Sequence, residues 1–199
     1  MSKKPAAELP DYLKLKNADI ILKHGSDILS DETFLTQKEY LQHGTVSVYD
    51  HVIYVADKSL SYAKKLHLKV DEEALVRGAL LHDYYLYDWH IHGAFYRGHI
   101  VKHPGEAAER AKQDFKINKR EENMIRRHMF PLTIMPPRYR EGWLISWADK
   151  TSAVSETLGK KARRSKAKRA DEKADRVAKV KAAKAEAKAA KAKAKKTSK

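Results

Sequence analysis

Six residues of this chain are of the types that hold divalent metal ions, and they run in the order His51, His82-Asp83, His103, His128, Asp149. The chain has ten histidines. His24, His43 and His67 read as ordinary packing or surface residues. The pattern formed by the others is harder to dismiss, with His103 at a helix start and His128 near a helix end. His51 sits mid-segment beside Val48 and Val55. His82 and Asp83 follow the apolar run Ala79-Leu80-Leu81, where burial without a partner costs free energy. Asp149 interrupts the run Trp143–Ala148, and a core-facing carboxylate needs a counter-ion. One shared metal site would satisfy all six. Imidazole with carboxylate suits Zn, Mn, Fe, Co or Ni, and the set does not separate these from one another or from Mg.

The elements that must position these residues read as helices almost throughout. Residues 17–30 form a short first helix. From Val46 to Leu66, Val48, Val52, Val55, Ser59, Tyr62 and Leu66 recur at helical spacing over five turns. Asp71 can cap the next helix, with Glu72 and Glu73 at its positive end, and that helix runs to about His82. Tyr84 to Val101 has no clear period and reads as a loop or broken helix. Pro104 fits the first position of a helix bounded by His103. Asn118 with Glu121 resembles a capping box, opening a helix to about Met129. Pro131, Pro136 and Pro137 impose a turn. A long helix follows from about Arg138 to Leu158, with Trp143, Leu144, Trp147, Thr151 and Val154 available for burial. No strand or hairpin signal stands out. The expected fold class is all-α.

The order of the six residues resembles the HD-domain superfamily of metal-dependent phosphohydrolases. The flanking residues agree: Ser47-Val48-Tyr49-Asp50-His51, Gly78-Ala79-Leu80-Leu81-His82-Asp83, His103-Pro104 and Ala148-Asp149-Lys150. The resemblance covers roughly Val46 to Leu158, within a domain expected to span 17–158 after an N-terminal extension of 1–16. It implies a helical bundle with the site between helices. His103 and His128 point to the branch that holds two metals. By analogy, His51, His82, Asp83 and Asp149 would hold one ion, and Asp83 would bridge to a second held by His103 and His128. Two ions about 3.5–4 Å apart can clamp both ends of an in-line displacement at phosphorus. The resemblance therefore implies phosphoester hydrolysis with metal-bound hydroxide as attacker and Asp83 at the catalytic centre. A metal site that only holds the bundle together, or an inactive remnant, is the bland alternative.

A second set lies between the His-Asp pair and His103. The stretch Asp88-Trp89-His90-Ile91-His92 resembles a group of small bacterial HD proteins. His92, Arg97 and Lys102 are candidates to bind substrate phosphate, and His99 to move the leaving-group proton. Closing or solvating the loop would serve equally to explain them. Some HD branches carry a lysine shortly after the His-Asp pair. Here Tyr84-Tyr85-Leu86-Tyr87 stands there, which leaves the leaving-group acid unassigned. These tyrosines suit core packing, or stacking on a base.

The net charge of +15 is divided unevenly. Residues 159–199 hold 18 basic and 4 acidic residues, leaving 23 basic and 22 acidic in the rest. The folded body is therefore close to neutral and carries a basic tail. The tail has 13 alanines, no aromatic residue, and Val177 and Val180 as its only large aliphatics. It cannot bury enough apolar surface to offset the ordering of its backbone, so it reads as disordered or as a solvated helix. Such segments bind nucleic-acid backbones by counterion release, without base readout, and make RNA or DNA a candidate nonspecific partner. Solubilisation is the plainer role.

Absence of cysteine excludes disulfides, zinc fingers and a thiol nucleophile. No glycine-rich phosphate loop appears, and a cytoplasmic protein without signal peptide or membrane span is expected. The leading expectation is hydrolysis of a small phosphorylated molecule of nucleotide type. Alternatives are a nuclease trimming RNA or DNA ends, diiron oxygenase chemistry, and a nonenzymatic metal- or nucleotide-sensing module tethered to nucleic acid.

Overall fold

Several helices in this protein begin at side chains that meet otherwise unpaired backbone groups. The computed structural model describes residues 15–43, 46–85 and 96–158, without the side chains of His43, Tyr96, Arg97, His99 and Ile100. The chain divides into two units, Met1–Glu156 and Thr157–Lys199. Only residues 157 and 158 of the second are described, and the account below concerns the first.

The described helices are α1 (Ala18–Leu29), α2 (Glu32–Leu35), α3 (Val48–Lys65), α4 (Glu72–Leu81), α5 (Tyr96–Phe115), α6 (Lys119–Arg127) and α7 (140–158). A 3-10 turn, Thr36–Glu39, follows α2. Ser47 caps α3 by accepting from the Asp50 amide at 3.1 Å. Asp71 caps α4 through the Ala74 amide at 3.0 Å. Asn118 and Glu121 form a reciprocal capping box on α6. The Asp71 and Asn118 caps are the ones that the sequence suggests, and the Ser47 cap is one that it did not single out.

The fold is all-α apart from a two-stranded antiparallel ribbon, β1 (Leu41–His43) and β2 (Val46–Ser47). The sequence reading assigns no element to 31–45 and starts a helix at Val46, where the structure has β2 and the helix begins at Val48. The ribbon escapes it because strands of three and two residues show no alternation to detect. The expected loop over Tyr84–Val101 is also corrected in part, since α5 already starts at Tyr96. Pro104 therefore lies inside α5 and not at its first position. Proline removes one helical amide there, but it does not set the boundary.

The core forms where α4 packs against α1, α3, α5 and α6. Leu75, Val76, Ala79, Leu80 and Leu81 of α4 are all fully buried. Gly78 permits close approach of three helices. A Cβ placed there would lie 2.9 Å from Met124 Cε on α6 and 3.2 Å from Ile145 Cδ1 on α7. Tyr84 stacks on Phe34 at 5.9 Å and meets Phe115 edge-on at 5.4 Å. Its hydroxyl donates to Asp114 at 2.9 Å. Tyr84 and Tyr85 are thus core residues, which answers the choice between packing and base stacking at these two positions.

On α7 the buried face is Leu144, Ile145, Ala148, Asp149 and Ser152. The expected burial of Trp143, Trp147 and Val154 is corrected: they are 48%, 65% and 59% exposed. Residue type suggested the tryptophan side, whereas the packed face carries the smaller residues and the carboxylate. No helix among the described residues is long and apolar enough to cross a membrane.

The α6 cap yields a stability test. Asn118→Ala should lower unfolding free energy by about 1 kcal/mol, read as a reduced urea midpoint at unchanged m-value.

Candidate metal centre

Two of the six expected ligands occupy the same local position in different helices. His82 is the C-cap of α4 and His128 the C-cap of α6. Each donates its Nδ1 proton to a carbonyl of its own last turn, His82 to Ala79 O and His128 to Ile125 O, both at 2.7 Å. Helix C-termini leave such carbonyls without intrahelical partners. The bond fixes the tautomer and turns each Nε2 lone pair inward, as in histidines that ligate metals.

The other four come from three helices and a helix end. His51 lies in α3, Asp83 follows α4, His103 lies in α5 and Asp149 in α7. All six are buried. His51 Nε2 stands 3.2 Å from Asp149 Oδ1 and 4.0 Å from Asp83 Oδ2. His82 Nε2 is 3.5 Å from Asp83 Oδ2 and 3.9 Å from Asp149 Oδ1. On the other side of the same carboxylate, Asp83 Oδ1 is 3.3 Å from His103 Nε2 and 3.5 Å from His128 Nε2. His103 Nε2 and His128 Nε2 are 3.1 Å apart. Two overlapping sets have ligand atoms within 4.8 Å of one another: His51, His82 and Asp149, and His82, Asp83 and His128.

The fit of a cation is tested by what the cluster leaves unpaired. His82 Nε2 and Asp83 Oδ1 are buried and have no hydrogen-bond partner among the described residues. Leaving such atoms unpaired costs about 1–3 kcal/mol each, more when charged. His128 Nε2, its tautomer fixed, presents a lone pair to His103 Nε2. Convergent lone pairs on buried nitrogen and oxygen atoms suit a divalent ion.

Charge is distributed to match. Burial alone would lower the His51 pKa, but hydrogen bonds with Asp149 and Glu156 outweigh it and hold it up, at about 10. Burial pushes His128 down to about 3, so it stays neutral. Burial would raise Asp83, yet His82, His103 and His128 hold its carboxyl well below the usual range. Asp149 is likewise lowered against its burial, chiefly by His51.

Several neighbours lay outside the sequence reading. Glu156 contacts His51 Nδ1 at 3.1 and 3.2 Å. It stands seven residues after Asp149, two turns along the same face of α7, and that spacing was the available signal. Lys150 Nζ donates to His128 O at 2.8 Å and Ser146 Oγ at 3.0 Å, joining α7 to the end of α6. Burial lowers the Lys150 pKa. Gln42 of β1 donates to Asp83.

The second set of expected residues is placed only in part. Lys102 is exposed on α5. It lines an open groove of about 600 Å³ with Tyr85, Glu106, Arg110 and Arg126. His92 lies outside the described residues. Arg97 and His99 belong to α5, but their side chains lie outside the description.

The fold and site together define a helical domain built around a buried histidine–carboxylate cluster that could hold a metal ion. A family model described as HD domain matches residues 48–154. The chain belongs to the HD-domain family. Membership implies metal-dependent phosphohydrolase chemistry in general, and HD domains bind divalent metals. Comparison with curated proteins and with solved structures found no match.

Metal uptake should be proton-linked. In the metal-free protein His51 holds a proton up to about pH 10, and a ligand nitrogen must lose it. Apparent affinity for Mn2+ or Co2+ should rise about tenfold per pH unit from about pH 7 to 9. Calorimetry in buffers of different ionisation enthalpy should show proton release on binding.

Proposed function

We propose that this protein hydrolyses a phosphoester of a small, nucleotide-type molecule, using two divalent ions held by His51, His82, Asp83, His103, His128 and Asp149. The observation that carries this reading is the position of Asp83. One oxygen faces His51 and His82, and the other faces His103 and His128. That is the disposition expected of a carboxylate shared between two ions. Mn, Fe, Co, Ni, Zn and Mg all remain compatible with the donors.

Bound ions would act as Lewis acids at the phosphoryl group and make water nucleophilic near neutral pH. The chain's own residues prepare that site. Glu156 orients His51 through Nδ1, and the Ala79 and Ile125 carbonyls orient His82 and His128. The surrounding helices keep water from the ligand atoms, which strengthens every charge interaction there. Lys102, next to His103 and exposed, is suited to meet a substrate phosphate. We assign His92 and Arg97 the same role and His99 the leaving-group proton, on their place in the chain before His103.

A second reading is a nuclease that trims RNA or DNA ends. The 18 basic residues in 159–199 favour it, since they could hold a polymer by counterion release. The two readings separate experimentally. A panel of nucleotides, dinucleoside polyphosphates, cyclic dinucleotides and short oligonucleotides is assayed with metal-loaded protein. His82→Ala and Asp83→Ala should each lower turnover more than about 100-fold, beyond the loss typical of outer partners. Turnover that survives both changes would sink the catalytic assignment. Removing 159–199 should leave small-molecule rates unchanged. A nuclease would instead lose polymer turnover at low salt.

A further inference from the structure

Asp83 is tied to a strand that lies outside the residues matching the family. Gln42 Nε2 donates to Asp83 Oδ2 at 2.6 Å. The Gln42 carbonyl oxygen in turn accepts from the Tyr85 hydroxyl. A carboxylate only accepts hydrogen bonds, so the amide must present its NH2 to Asp83 and its oxygen to Tyr85. The direction of the chain Tyr85–Gln42–Asp83 is therefore fixed. Gln42 is 7% and Tyr85 1% exposed. A third contact comes from Gln37, whose Nε2 donates to the Asp83 backbone carbonyl at 3.0 Å. The Tyr85 ring also meets His103 at 5.6 Å, tilted 67°.

The backbone at Gln42 is irregular in a way that serves this contact. Leu41 pairs with Ser47 and His43 with Val46, so Gln42 is an extra residue in the ribbon. An extra residue of this kind re-aims its side chain, and such bulges recur beside active sites. The ribbon leads directly into α3, which carries His51.

We propose that Gln42, held by Tyr85, is a positioning residue that fixes the rotation of the Asp83 carboxylate. Carboxylate torsions are broad, so packing alone leaves the rotation of the carboxylate plane weakly specified. The bond from Gln42 assigns Oδ2 to the side of His51 and His82. Oδ1 is thereby directed to His103 and His128. One acceptor position of Oδ2 is used, and the rest stay available to an ion. The inference rests on the reading that Asp83 is shared between two ions.

The test uses the full chain, stripped of metal and titrated with Co2+ by calorimetry and visible absorption. Gln42→Leu should weaken one of two Co2+ equivalents by about 10- to 100-fold and alter the Co2+ spectrum. Tyr85→Phe keeps the ring against His103 and loses only the hydroxyl. It should give a smaller loss in the same direction. The double variant should bind no more weakly than Gln42→Leu alone, since both act through one contact. Losses that instead add would overturn the relay through Tyr85. Should Gln42→Leu fail to fold, Tyr85→Phe decides by itself. Parent-like binding and spectra in folded variants would overturn the inference while leaving the two-ion reading intact. A parent chain that binds no Co2+ would overturn both.

Discussion

The constraint on which the structure depends is the burial of six polar groups whose nitrogen and oxygen atoms converge. Four imidazoles and two carboxylates lie together with almost no solvent. Such a cluster is unfavourable as it stands, because buried charges need partners and buried lone pairs repel. The protein offsets part of this internally. His51 takes a proton between Asp149 and Glu156, and Asp83 is held ionised by the three histidines around it. What remains is the unpaired pair of atoms, His82 Nε2 and Asp83 Oδ1. They mark where a cation would contribute most.

This constraint explains features of the helices that local propensity does not. α4 and α6 end on histidines, and each imidazole satisfies a carbonyl of its own last turn. One residue thus finishes a helix and presents a ligand atom in a fixed orientation. The Gly78 contact serves the same end: it lets α4, α6 and α7 approach closely. A larger side chain there would spread the helices whose ends and inner faces carry the donors. Lys150 ties the end of α6 to α7 across the same region, at the cost of partial burial of its charge.

The sequence was legible where one residue carried one local signal. Asp71, Asn118 and Glu121 act as caps at the positions their types suggest, and the helix cores follow their apolar spacing. His51, His82, Asp83 and Asp149 stood out because polar residues in apolar runs demand an explanation, whereas His103 and His128 were marked only by their places at helix ends and by the order of the motif. Two kinds of information were hidden. The ribbon at 41–47 has no periodicity to read, because its strands are too short. Gln42 was hidden because it is not unusual in its own segment, and Glu156 offered only its spacing from Asp149. Each acquires meaning only from a partner 41 or 105 residues away, and such distances belong to tertiary structure.

The inner face of α7 shows the same priority of site over hydrophobicity. Residue type alone favours burying Trp143 and Trp147, the largest apolar groups of that helix. Yet Asp149 must reach His51 and Glu156 must reach the other nitrogen of the same ring. These two carboxylates are seven residues apart, so one helix face carries both. That face also takes Leu144, Ile145, Ala148 and Ser152 into the core. Trp143 and Trp147 then fall on flanking positions and are left in part to solvent, with Trp143 resting edge-on against Phe130 at 5.2 Å. Ala148 and Ser152, beside Asp149 on the buried face, are small enough to let α7 approach α3 within hydrogen-bond reach of His51. A tryptophan in that interface would hold the helices apart and remove Asp149 from reach of His51.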